Sequence, residues 1–371
     1  MSKKIIDLFS GCGGLSVGFE QAGYKIIKAV EFDEQISKTY QLNHKKTIML
    51  NEDIKLIANN EYFKREEADV IIGGPPCQGF SMAGARIRHT NSFVEDPRNY
   101  LFKHYLEVVK IVKPKMFIME NVKGILTMKN GGIFKEIVSS FQNRKNFDGD
   151  YYDIQYKVVK GIDCGIPQKR ERVIIIGILN KHIDLEWAFK TAKTNIEKST
   201  PFYFDKTNVW DAISNLPSTT KDGIVKNPLP ITNYQKYLCC KSDNITGHFT
   251  PNHSQQAVLR MSKIKEGQNW EVLDDKIRSV HSGSYGRLEK NGVCATITTR
   301  FDTPSGGRFI HPVENRTLTI REAARIQSFP DDFVFLGTKS SMCRQIGNAV
   351  PPKIAFYLAK VMEVLIDEYG K

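Results

Sequence analysis

The sequence predicts an α/β protein: a doubly wound large domain with a smaller domain inserted into it. Three observations predict this. The chain opens on an apolar run, a glycine turn and a helical stretch in succession, which is how doubly wound folds begin. Short apolar runs then alternate with helical spacing, and several end on an acid or a stiff turn. From about Leu185 the alternation stops, and near the C-terminus it returns. The predicted units are therefore residues 1–184 as the large domain, 185–318 as the insert, 319–344 as a hinge and 345–371 as a segment returning to the large domain. A chain of 371 residues is long enough for both.

Lys4-Ile5-Ile6-Asp7-Leu8-Phe9 predicts the first strand. Ser10-Gly11-Cys12-Gly13-Gly14 is a turn of bare backbone that lets a nucleotide approach, and Leu15 to Ala22 then has helical spacing, closed by Gly23. Ile26 to Val30 predicts a second strand ending at Glu31, where such folds hold a ribose hydroxyl pair. Asp53 follows a third apolar stretch, Thr47 to Leu50, and is placed to accept from an adenine amino group. Alone, each carboxylate reads as a solvated loop residue. Their placement after successive strands favours a nucleotide-like ligand.

Asp69-Val70-Ile71-Ile72 predicts a buried strand, and Gly73-Gly74-Pro75-Pro76-Cys77-Gln78-Gly79-Phe80-Ser81 follows it. Two prolines block a helix start and any further ladder pairing. The first side chain beyond this stiff exit is a thiol, at the sheet edge where open α/β folds place their chemistry. Gly79 to Phe93 carries Arg86, Arg88 and His89 without periodicity and predicts a long loop of the kind that serves as a lid. Asp96-Pro97 predicts a helix start, Leu101, Tyr105, Val108 and Val112 its apolar face, and Lys113-Pro114 its end. Lys115 to Met119 predicts a fifth strand, ending on Glu120-Asn121-Val122. Ile133 to Phe141 predicts a helix and Tyr152 to Lys160 a hairpin arm. Arg170 and Arg172 enter the strand-like run Val173 to Gly177 at alternate positions, so both are expected on one side as a single fork for an anionic or carbonyl-bearing substrate.

The charge balance adds a partner class. Lys plus Arg number 53 against 41 for Asp plus Glu, a net +12 that suits a polyanion such as nucleic acid. Seven cysteines without a C-x-x-C pair argue against a disulfide framework or a zinc site, and no run has the length of a membrane span. A reducing cytoplasm is the expected setting. Trp210 to Leu216 predicts one short helix in the insert. His248 to Arg287 mixes aromatic, basic and small polar residues, including His253, Trp270, Arg278 and His281, and suits contacts to phosphates and base edges; its histidines lack metal-ligand spacing. Thr319 caps a helix through Ile326, and Pro351-Pro352 opens a last helix with Ile354, Leu358, Val361 and Leu365 on one stripe.

The ordered set of these segments resembles the bacterial-type DNA (cytosine-5-)-methyltransferase family. The carrying segments are Asp7 to Gly14, Gly74-Pro75-Pro76-Cys77-Gln78, Glu120-Asn121-Val122, Gln168-Lys169-Arg170-Glu171-Arg172, Arg321 to Arg325 and Gln345 to Pro352. The resemblance implies a Rossmann-like S-adenosylmethionine-dependent methyltransferase domain with an inserted target-recognition domain. It implies S-adenosyl-L-methionine as cofactor, S-adenosyl-L-homocysteine as product and no metal. The cofactor residues it implies are Asp7, Phe9, Ser10, Gly11, Gly13, Gly14, Glu31, Phe32, Asp53, Ile54, Pro75, Leu101, Asn348 and Ala349.

Cytosine C5 is a poor nucleophile, and a thiolate added at C6 makes it enamine-like. The resemblance gives that role to Cys77, places Glu120 at N3 and the exocyclic amine and Arg170 at O2, and has Arg172 orient Glu120 or the loop. The base must leave the duplex to be reached. Gln78, Ser81, Arg86, Arg88, Arg98 and Thr296 are the implied DNA contacts. The expected partner is double-stranded DNA, with a separate cognate restriction endonuclease as the usual context, no membrane, and a monomeric enzyme. A tRNA cytosine-C5 methyltransferase of the same fold stays open as an alternative. A non-catalytic DNA-binding protein leaves the intact Cys77 and Glu120 unexplained, and a dinucleotide-dependent oxidoreductase explains neither the Pro-Pro-Cys turn nor the arginines.

Overall fold

The structure is a computed structural model and describes residues 3–76, 100–182, 184–274 and 282–369. β1 (Lys4–Leu8), β2 (Lys25–Val30), β3 (Ile48–Leu50), β4 (Val70–Gly73) and β5 (Met116–Val122) are parallel neighbours in one sheet. β6 (Tyr152–Lys160) and β7 (Glu171–Leu179) form a hairpin, and β7 runs antiparallel to β5. Among the described residues these seven strands have the order β3-β2-β1-β4-β5-β7-β6. The continuous apolar runs that predicted the inner strands reflect cover on both faces: every residue of β4 is buried.

The helices follow from local chemistry. α1 (Gly14–Gln21) starts from Gly13 at φ 98°, a left-handed conformation that favours glycine. Asp33 accepts two backbone N–H bonds to start α2 (Glu34–Asn43), and Asp53 accepts from Lys55 N to start α3 (Ile54–Ile57). α4 (Leu101–Val112) ends at Lys113, φ 49°, with Pro114 barring continuation; the Asp96-Pro97 start expected for it lies outside the described residues. α5 (Gly132–Gln142) covers the predicted helix.

Each face of the sheet has its own core. α3, α4 and α5 cover one face with Ile54, Tyr105, Val108, Val112, Ile137 and Phe141. α1, α6 (Leu185–Ser199) and α12 (Pro352–Tyr369) cover the other. Gly18 permits α1 to meet α12 closely, since a Cβ there would stand 2.4 Å from Phe356 N and Pro352 O. Ile354, Leu358, Val361, Met362 and Leu365 of α12 are fully buried, worth roughly 1.5–3 kcal/mol each before the opposing entropy is subtracted.

α6 lies just beyond the boundary expected at 185. Leu185, Ala188, Phe189, Ala192 and Ile196 of α6, and Tyr203 after it, pack into the large-domain core. Their spacing is that of an amphipathic helix capped by Asp184, and it continues the alternation beyond the boundary expected at 185. α7 (Val209–Ile213) then opens a second core with α8 (Asn233–Leu238), α10 (Ile320–Ile326) and α11 (Lys339–Asn348). Asn208 and Asp211 form a capping box for α7, which overlaps the helix expected over Trp210 to Leu216 but starts one residue earlier and ends at Ile213. The second core joins residues on both sides of position 319 and takes in Cys12 and Val17 of the large domain. Ile320, Ala323, Phe329, Phe333 and Cys343, within the segment 319–344, are part of this packed core. Beyond it lie the short pair β8 (Val225–Lys226) and β9 (Asn244–Ile245), α9 (Gln255–Ser262), and a small cluster of Met261, Ile264, Tyr285 and Ile310.

Candidate active site

The carboxyl ends of the parallel strands carry the predicted ligand-binding groups to one edge of the sheet. After β1 the chain turns through Phe9 at φ 57°, left-handed for a bulky residue, and Gly11 at φ 57°. Such a conformation costs about 1–3 kcal/mol and persists where surrounding structure enforces it. Ser10 N and Oγ both donate to Val30 O. Gly11 N donates to Glu31 Oε2 at 3.0 Å and Asp33 N to Glu31 Oε1 at 2.8 Å. Burial pushes the Glu31 carboxyl up, against these bonds. Phe32, next along, is 74% exposed, and Asn51 Nδ2 donates to Glu31 O. Asp53 is half-buried, while Ile54 belongs to the core beneath, against which Phe9 and Leu101 pack. On the opposite side of the turn, a Cβ on Gly14 would stand 2.2 Å from Val350 O and 3.3 Å from Ala349 Cβ. Asn348 beside them is exposed.

This donor set fits S-adenosyl-L-methionine. Each Glu31 oxygen accepts one backbone N–H and keeps a lone pair for a hydroxyl donor. An added Cβ at Gly11 would meet nothing within 4 Å, so open space faces the turn. An exposed aromatic ring stands beside the acid. Asp7 differs from expectation. It is fully buried, accepts from Ser16 Oγ at 2.7 Å, and Ser16 in turn contacts Tyr40 Oη at 2.7 Å. Its carboxyl ties α1 to β1 behind the glycine turn, and burial pushes it up to about 7.

The second group of residues lies at the ends of β4 and β5. Gly73 pairs with Met119, which sets Gly74 against Glu120: a Cβ there would lie 2.8 Å from Glu120 Oε2. Asn121 Nδ2 donates to Pro75 O at 3.0 Å and fixes the proline turn to β5. Arg172 Nε stands 2.6 Å from Glu120 Oε1, and both side chains are little exposed. Cys77 follows Pro76 directly in sequence and lies outside the described residues, as do Gln78, Ser81, Arg86, Arg88, Arg98 and the whole Gly79 to Phe93 loop.

The two arginines do not form one fork. Arg172 pairs with Glu120, whereas Arg170 is fully buried and donates to Gly347 O and Ala349 O. Arg170 precedes β7, so the strand alternation that placed both on one side does not extend to it. Thr296 Oγ1 donates to Lys169 O at 2.7 Å. Its segment runs beside the arginine segment through Lys169 N to Cys294 O and Cys294 N to Pro167 O.

The basic stretch of the insert is partly structural. Arg287 is 4% exposed and commits its guanidinium to the carbonyls of Ile264, Met261, His311 and Glu314 and to Asn315 Oδ1. His248 is buried between Thr319 Oγ1 and Pro217 O. Neither is free to touch a phosphate. Arg278 and His281 lie outside the described residues. Among the described residues no group of three or more His, Cys, Asp or Glu is placed to hold a metal, and no helix is long and apolar enough to cross a membrane.

A mostly parallel sheet with one reversed strand, a glycine turn after the first strand and an acid after the second defines the class: the Rossmann-like fold of S-adenosylmethionine-dependent methyltransferases. Within that class, the chain belongs to the C-5 cytosine-specific DNA methylase family, whose profile matches residues 3–363. The type II methyltransferase M1.HphI of Haemophilus parahaemolyticus is 35% identical over 98% of this chain and 87% of its own length. M.DdeI of Desulfomicrobium norvegicum is 35% identical over 96% and 87%. A protein described as a DNA modification methyltransferase encoded within an E. coli prophage superposes with a TM-score of 0.75 at 30% identity, covering 99% of this chain and all of that one. The Dnmt2 methyltransferase of S. pombe, at 15% identity and a TM-score of 0.59, shares the fold. Family membership makes the chain a DNA (cytosine-5-)-methyltransferase.

Proposed function

We propose that the chain transfers a methyl group from S-adenosyl-L-methionine to C5 of a flipped-out cytosine within a specific duplex DNA sequence, through a covalent bond between Cys77 and C6. The observation that carries this reading is the Glu120–Arg172 pair, set against Gly74 three residues before Cys77. The Cys77 thiolate adds to C6, and the ring charge spreads to N3 and O2. Glu120 delivers a proton to N3, and Arg172 meets the charge beside it. When bound, the cofactor supplies an electrophilic sulfonium methyl group. Once C5 carries the methyl group, N3 returns its proton to Glu120, a base takes the C5 proton and the C6–S bond breaks, which restores the aromatic ring and the thiolate.

Glu31, Phe32 and Asp53 hold the cofactor's nucleoside with Phe9, Ile54 and Leu101 behind them, and Ser10, Gly11, Gly13 and Gly14 its polar end. Pro75, Asn348 and Ala349 close the pocket, and Asp7 acts on it through α1. The net charge of +12 favours the phosphate backbone. Gln78, Ser81, Arg86, Arg88 and Arg98 are proposed to hold the opened duplex, with Thr296 beside the extruded nucleotide. M1.HphI and M.DdeI are named type II methyltransferases. By analogy the enzyme acts as a monomer in a reducing cytoplasm, protecting DNA from a separate endonuclease. Tritiated methyl transfer to duplex DNA, followed by bisulfite sequencing of DNA from an expressing host, tests the reading. Transfer to tRNA with none to duplex DNA would overturn it.

A further inference from the structure

Arg170 and Arg172 stand two residues apart yet bond to different parts of the molecule. Arg172 reaches Glu120. Arg170 bonds to the chain that leads into α12: Nη1 and Nη2 each donate to Gly347 O at 3.1 Å, and Nη2 donates to Ala349 O at 2.8 Å. Nη1 also reaches Ile297 O at 3.5 Å. That chain forms the wall of the glycine turn. Val350 O sits 2.2 Å from where a Gly14 Cβ would be, and the Cys12 thiol donates to Gln345 O at 3.6 Å. Gln327 Nε2 donates to Ile346 O and Ala349 O, while Gln168 Nε2 donates to Gln327 Oε1 at 2.5 Å, so a second link joins the same two segments.

A short stretch of chain is thus bonded at one end to the wall of the cofactor pocket and at the other to the carboxylate that meets the base. Arg170 is fully buried, its Nε–H has no hydrogen-bond partner among the described residues, and its bonded partners are carbonyl oxygens. Burying a cation on such terms is unfavourable, and an apolar side chain of similar volume fills space at lower cost. Holding distant carbonyls together is what only its forked donors do. Transfer between two bound molecules requires it, because a displacement of about 1 Å costs on the order of 100-fold in rate.

We propose that Arg170 is a positioning residue that locks the 347–350 wall of the cofactor pocket to the Glu120–Arg172 pair, holding methyl donor and cytosine in one register. It acts through the main chain and does not touch the base. The proposal rests on the methyltransferase reading above.

The test compares Arg170→Ala, Arg170→Lys and Arg172→Ala with the unaltered enzyme. Calorimetry with S-adenosyl-L-homocysteine alone reads the pocket wall. Release of tritium from C5-tritiated cytosine in duplex DNA, without cofactor, reads the base side: the thiolate adds to C6, C5 takes a proton from water, and tritium leaves as the C6–S bond breaks. Arg170→Ala is expected to weaken S-adenosyl-L-homocysteine binding about tenfold or more, with Arg170→Lys recovering part of it. Arg172→Ala is expected to keep that affinity within about twofold and to lose exchange. Unchanged affinity in a folded Arg170→Ala protein, with exchange lost, would show that Arg170 contacts the base and overturn the proposal. Should Arg170→Ala fail to fold, unchanged affinity in Arg170→Lys overturns it equally. Absence of binding or exchange in the unaltered enzyme would instead strike at the Cys77 mechanism.

Discussion

Arg172 Nε stands 2.6 Å from Glu120 Oε1, and the contact joins the ends of two neighbouring antiparallel strands, β5 and β7. Two charges held so far out of water gain little net stability, because desolvation offsets their attraction. In the mechanism proposed above, the pair is held ready for a ring that must accept electrons. Glu120→Gln keeps the volume and removes the proposed proton carrier. It is expected to lower the single-turnover rate of methyl transfer about 100- to 1,000-fold, with melting temperature little changed. A rate within about threefold of the unaltered enzyme would refute the assignment.

Gly74 is expected to be a functional glycine. Its substitution by Ala places a Cβ 2.8 Å from Glu120 Oε2, the mobile end of a side chain. The carboxylate can swing aside at little cost, so stability should change by less than about 1 kcal/mol. Transfer should nevertheless fall at least about tenfold, since the displaced oxygen belongs to the carboxylate proposed to meet the base. Melting curves and turnover measured on one preparation separate the two effects.

Cys77 carries the proposed chemistry. Cys77→Ala is expected to bind duplex DNA and to transfer no methyl group. Duplex DNA with 5-fluorocytosine at the target should form an adduct with the unaltered enzyme that survives denaturing electrophoresis, because fluorine cannot leave as a proton does. An active enzyme that forms no such adduct would exclude the C6 addition.

Asp7 predicts a pH-dependent stability. Its folded-state pKa, about 7 against an ordinary 3.8, is raised by burial, with the Ser16 bond opposing and the charges of Glu31 and Glu20 adding to it. A raised carboxyl pKa means that its stabilising contribution is complete below pH 3.8 and is lost as pH rises through 7. Asp7→Asn removes that dependence. The melting temperature of the unaltered protein should therefore fall relative to the variant between about pH 4 and pH 8. The loss is roughly 1.4 kcal/mol for each pH step of one over which the carboxyl is ionised unfolded and protonated folded. A difference that stays flat across this range would contradict the burial argument.

Several structural features are legible in the chain because they depend on near neighbours. The strand, glycine turn and helix from Lys4 to Gln21 follow from apolar period and from a turn that requires left-handed backbone. The helix start at Thr319 follows from a side chain that bonds three residues ahead. The burial of Arg287, in the stretch from His248 to Arg287, is not legible for the opposite reason. Charge and aromaticity describe a residue's own chemistry, whereas the burial of Arg287 depends on carbonyls 23 to 27 positions away and on α9. α6 is legible in principle, since its apolar spacing is helical, but the sheet face it covers is not written locally.

The sequence by itself determined the order of the strands along the chain, the residues that stand at their carboxyl ends, and so the class of chemistry. Period, proline and glycine act over a few residues, and strand ends in this fold converge on one edge whatever the surrounding detail. Only the tertiary structure decided how the two arginines divide their work. Arg170 meets Gly347 across 177 positions of sequence, and no local rule specifies a partner at that distance. Close packing of the returning C-terminal segment against the glycine turn brings those carbonyls within reach of one guanidinium and leaves Arg172 to Glu120.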